Sequence, residues 1–140
     1  MADRSIAMTR LSVILTLLSL LGVMVAFELG INTGWSTILK FICVSLLVML
    51  FVTYPFGFIV TGLWGFTHKP VGELDERELQ MTGKALRIAY VVFSVIVLIV
   101  LYVFAVLEIR LSVVLAAGLL LFAHLLPGTV IVFSEKTLQL

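Results

Sequence analysis

Four runs of mainly apolar residues limit what this chain can become: residues 11–29, 39–64, 86–107 and 111–133. Each reaches the length, about 20 residues, that a helix needs to cross roughly 30 Å of hydrocarbon. A lipid interior offers no partner to backbone N–H and C=O groups, so a spanning segment must satisfy them within itself. That requirement overrides local propensity. The run VVFSVIVLIVLYV at 91–103 is dense in Val and Ile and would favour a strand in water. The expected fold is therefore all-α: a single transmembrane domain, 1–140, forming an integral membrane four-helix bundle. Two antiparallel helical hairpins are joined by a helical extension at 65–85. Composition agrees, with 62% apolar and 12% charged residues, against roughly 45–50% and about 25% in soluble domains.

The polar stretch 67–87 (THKPVGELDERELQMTGKALR) divides the apolar sequence into halves and fixes its threading. With four spans, the N-terminal segment, this stretch and the C-terminal segment share one side. That side holds Arg4, Arg10, Lys69, Arg77, Lys84, Arg87 and Lys136; the other holds Lys40 and Arg110. The excess of Lys and Arg assigns the first side to the cytoplasm, and the expected location is the cell (inner) membrane. Arg4 and Arg10 before an apolar run also suit a secretory signal. The run is longer than a usual signal core, and Met24-Val25-Ala26 is a poor cleavage site, so it reads as a retained span.

Spacing marks the contact faces. Ser12, Thr16, Ser19, Gly22 and Ala26 fall on one side of the first helix, and Thr53, Gly57, Thr61 and Gly65 recur every four residues in the second. Small residues let helices approach closely in lipid, so the second row is the candidate helix-packing face, toward a neighbour in the same chain or a second copy. Pro55 predicts a kink near 51–55. Gly30 and Gly34 end the first helix, with Trp35, and Trp64 and Phe66 at the other surface, as interfacial anchors. Glu28, Lys40, Glu108 and Arg110 suggest a shallow charged ring outside. Glu108-Ile109-Arg110 is short enough to make the last two helices antiparallel neighbours.

The third helix is expected to start near Asp75 and rise into the membrane, its acidic first turn favoured by the helix dipole. Glu73–Arg77 and Gln80–Lys84 have the i, i+4 spacing of helical pairs, and Gly83 is where the helix would bend. Asp75, Glu76 and Glu78 near His68 superficially suggest a metal cluster. They point in different directions on a helix and lack an HExxH or ExxH pairing. At membrane depth the titratable candidate is His124, about 13 Å from the inner end of its helix. With Thr16, Thr61 and Tyr90 it makes a candidate intramembrane polar layer, in which a neutral His124 bonds a hydroxyl or the carbonyl that Pro127 releases. Tyr54 and Tyr102 read as packing residues. Cys43, the single cysteine, reads as a small buried hydrophobe and excludes an intramolecular disulfide.

The run Asp75-Glu76-Arg77-Glu78-Leu79-Gln80, then Gly83-Lys84-Ala85 and a span carrying Tyr90 and Phe93, resembles a motif of small bacterial multi-pass membrane proteins of unknown function with a DER-type segment. The resemblance covers only that stretch and implies a bacterial or archaeal membrane protein with no assigned activity. No nucleotide loop, nucleophile elbow, haem or zinc spacing is present in the sequence, so no enzyme, cofactor or metal is expected, nor a nucleic-acid partner. The role expected is that of a non-enzymatic accessory, regulatory or interaction protein in the lipid bilayer. Glu73, Asp75, Glu76, Arg77 and Glu78 are its candidate partner-docking residues, toward a membrane or cytoplasmic protein. The alternative is a small oligomeric transporter or channel lined by Thr16, Tyr90 and His124.

Overall fold

The computed structural model describes residues 2–134, leaving aside the side-chain surroundings of 2–5 and 64–66. All regular structure among these residues is helical: α1 (Ala2–Thr33), α2 (Thr37–Tyr54), a π-helical turn (Pro55–Ile59), α3 (Leu63–His68), a 3-10 turn (Val71–Glu73), α4 (Glu76–Val106) and α5 (Val113–Ser134). Four segments are long and apolar enough to cross a membrane: Ile6–Thr33, Thr37–Ile59, Glu76–Val106 and Val113–Ser134, with mean hydropathies of 2.3, 2.3, 2.9 and 2.1. The chain forms a four-helix bundle compatible with an integral membrane protein.

The bundle is built outward from α1, which packs on both α2 and α5; α4 packs on α5. The periodic row of α1 explains its place. Thr16 and Ser19 are wholly buried, Ala26 is buried, and a methyl on Gly22 would stand 2.9 Å from Leu46 Cδ1 of α2. On the α5 side, a methyl on Gly118 would meet Met24 Cγ at 2.6 Å. Such approach distances let dispersion and small-residue packing hold helices together where no hydrophobic force acts between them. At the end of the bundle nearest the chain termini, Arg10 Nε donates to the Val132 carbonyl at 3.4 Å, and its guanidinium lies 5.8 Å over the Phe133 ring. Cys43 is a buried side chain of α2.

Three boundaries differ from expectation, each for a local reason. α1 runs through Gly30 to Thr33 and stops at Gly34, which takes the left-handed φ of 95°. Gly30 instead gives room to Trp35: a methyl there would lie 2.6 Å from the indole, which also meets Phe27 edge-on at 5.2 Å. Pro55 produces a widened turn, with Val60 N–H donating to the Pro55 carbonyl at 2.9 Å, five residues back. The spanning segment then ends at Ile59, not 64, because Gly62 turns left-handed at φ 73° and starts α3 as a separate helix. The α4–α5 connection is also longer than three residues. Ile109 N–H returns to Phe104 O at 3.0 Å and Glu108 N–H to Ala105 O at 3.4 Å, with Glu108 at φ 54°. This is a Schellman closure with glutamate where glycine is usual. Gly83 causes no break, since α4 is continuous through it.

Candidate functional site

The stretch 68–78 is fastened by short-range bonds. Pro70 turns the chain, and Glu73 N–H and Leu74 N–H close the 3-10 turn on Pro70 O and Val71 O at 2.9 and 3.3 Å. Asp75 is the N-cap of α4: its carboxylate accepts from Glu76 N–H at 2.7 Å, and Glu78 Oε2 reaches back to Asp75 N–H at 3.0 Å. Together they form a capping box, which satisfies donors a helix start leaves open. The sequence signal was the spacing Asp75-x-x-Glu78, a box signature that reading the acids only as dipole partners passes over. Lys69 Nζ pairs with the same Glu78 oxygen at 3.3 Å.

These bonds sort the five candidate docking residues. Glu73, Asp75, Glu76 and Arg77 are exposed, whereas Glu78 is half-buried and turned onto Asp75 and Lys69. Glu73 lies in the 3-10 turn ahead of the cap, so it and Arg77 do not share a helical face as i, i+4 partners. The Glu78 carboxyl sits below the usual carboxylate range, first because the Asp75 N–H bonds its charged form and then because of Lys69. Lowering favours the ionised form in the folded chain. Its contribution is therefore complete above the unfolded value and is lost as pH falls through the folded one. A carboxyl-carbon NMR titration is expected to give Glu78 a midpoint below that of a free glutamate. Lys69→Met should raise it only part of the way, because the Asp75 bond remains; an ordinary midpoint in the unmodified protein would contradict the box.

The polar layer expected from Thr16, Thr61, Tyr90 and His124 is not assembled as one group. Thr16 faces α2, sharing its hydroxyl proton between the Ser12 carbonyl at 2.8 Å and Thr53 Oγ1 at 3.0 Å. Thr61 donates to its own helix at Gly57 O, 2.7 Å. Tyr90 is 72% exposed, because Thr82, Ala85 and Ala89 take the inward face of α4 and the next residue turns about 100° away from it. His124 is exposed on α5 and stacks on His68 at 5.8 Å between ring centroids, 27° between planes. Thr67 Oγ1 lies 3.0 Å from His68 Nδ1. Of the small-residue stripe, Thr53 and Gly57 lie against α1, a methyl on Gly57 standing 3.4 Å from Ser12 C and Val13 N. Thr61 is half-buried, and the side of Gly65 is outside the described residues.

At the opposite end, sequence reasoning missed a contact. Ser112 Oγ donates to Glu28 Oε1 across 84 residues and accepts from Leu115 N–H at 3.0 Å, capping α5. The expected charged ring of Glu28, Lys40, Glu108 and Arg110 thus gives way, at Glu28, to a hydroxyl partner. No signal of spacing joins Glu28 to Ser112. Among the described residues no group of three or more His, Cys, Asp or Glu is placed to hold a metal ion. Comparison with protein-family models, curated proteins and solved structures returned no match.

Proposed function

We propose that the chain is an accessory or interaction protein of a bacterial inner membrane, with both termini and residues 65–85 in the cytoplasm. It docks a cytoplasmic or membrane protein through Glu73, Asp75, Glu76 and Arg77. The observation that carries this reading is that all four charges are exposed on a helix start held in place by the Asp75–Glu78 capping box and the Lys69–Glu78 pair. A preformed charged surface loses little entropy on binding and steers a complementary partner. The seven-to-two division of Lys and Arg supports the orientation. The channel reading loses one of its three lining residues, since Thr16 is sealed between α1 and α2.

The test is photo-cross-linking in native membranes from a reactive residue at Gln80. Glu73→Lys with Glu76→Lys is expected to reduce the cross-linked adduct several-fold, while Lys40→Glu at the other end leaves it unchanged. An adduct of equal yield in all three proteins would remove the docking surface.

A further inference from the structure

Where the inner-facing ends of α4 and α5 meet, a cleft of about 230 Å³ is lined by Met81, Lys84, Ala85, Ile131 and Ser134. That is roughly seven water volumes at ~30 Å³ each, room for a phosphate and its glycerol but not for a whole lipid. Its walls are divided. Met81, Ala85 and Ile131 are apolar, and the other two lining residues, Lys84 and Ser134, carry an ammonium and a hydroxyl. Arg87, three residues beyond Lys84, is exposed on the same side of the helix. Neither cation has an ion-pair partner among the described residues. Thr82, next to Met81 in the chain, is 7% exposed, and its Oγ1 is sealed with no hydrogen-bond partner among the described residues. A sealed hydroxyl without an acceptor is costly and calls for an explanation.

We infer that this cleft binds the phosphate of one anionic phospholipid from the leaflet facing residues 65–85. Lys84, Arg87 and the Ser134 hydroxyl hold the head, and the first acyl carbons run over Ala85 and Ile131. Charge decides the class, because two cations without an ion-pair partner among the described residues favour an anion. The apolar wall decides the source, since an inorganic phosphate has no use for Met81 and Ile131. Position agrees: α4 passes there from the Asp75–Lys84 polar segment to the apolar run from Leu86. Basic residues at such a boundary attract anionic headgroups. The inference rests on the membrane placement proposed above.

Native mass spectrometry of the full chain released from detergent, with phosphatidylglycerol, phosphatidylcholine or inorganic phosphate added, tests it. One phosphatidylglycerol is expected to stay bound. Lys84→Gln should weaken it about fivefold, the effect of one lysine at an anionic surface, and Lys84→Gln with Arg87→Gln more. Ser134→Ala, at an exposed position that threatens no packing, should give a smaller loss. Phosphatidylcholine retained equally well, an adduct indifferent to all three changes, or competition by inorganic phosphate would each overturn the site. Monodisperse protein in plain buffer would instead defeat the membrane placement itself.

Discussion

Gly57→Leu is expected to destabilise the bundle by about 2–3 kcal/mol, the upper part of the range for overpacking a close contact. A methyl at Gly57 already stands 3.4 Å from Ser12 C and Val13 N, so the next carbons of leucine must displace the backbone of α1. The neighbours that fail to yield are main-chain atoms, which cannot move to another rotamer. One turn along, the Thr16–Thr53 hydrogen bond at 3.0 Å spans the same interface and would open with it. Gly57→Ala meets the contact at ordinary van der Waals distance and should cost well under half as much. Unfolding in mixed detergent micelles, followed by far-UV circular dichroism, reads the difference. A leucine variant as stable as the unmodified protein would mean that α1 and the π-helical turn do not approach so closely.

Helix identity was legible because it depends on one dominant constraint. Runs as long and apolar as 111–133 leave the backbone no alternative in lipid, and the row Ser12, Thr16, Ser19, Gly22, Ala26 marked the side of α1 that the structure buries. The same logic could not say which side of α4 turns inward. Its Val, Ile and Leu residues surround the helix almost evenly, and only the small Thr82, Ala85 and Ala89 distinguish one face. From the sequence Tyr90 therefore reads as interior, whereas it is exposed on α4. Gly62 was hidden in an apolar run, and its left-handed turn both shortens the second span and creates α3. That turn brings His68 beside His124, a pairing across 56 positions that no periodicity encodes. Of the proposed docking residues, the sequence shows the charges, but the division between structural Glu78 and exposed Glu76 depends on hydrogen-bond geometry.

Ser112→Ala should have a comparable effect by a different route, about 2–4 kcal/mol. Ser112 caps α5 through Leu115 N–H, and loss of a serine N-cap costs about 1 kcal/mol. It is also the hydroxyl that satisfies Glu28 Oε1, while Glu28 Oε2 is sealed from solvent with no partner. Deleting the donor leaves both oxygens of a half-buried carboxyl without one, which adds roughly 1–3 kcal/mol. The two parts can be separated. With Glu28→Leu as background, Ser112→Ala loses only the cap, so its cost should fall to about 1 kcal/mol. Ser112→Asp keeps a capping acceptor but sets a second carboxyl against Glu28, and it should be worse than alanine. Equilibrium unfolding of the four proteins in the double-mutant cycle measures the coupling. Equal costs of Ser112→Ala with and without Glu28 would show that the cap alone matters and that α1 is not tied to the start of α5 through this pair.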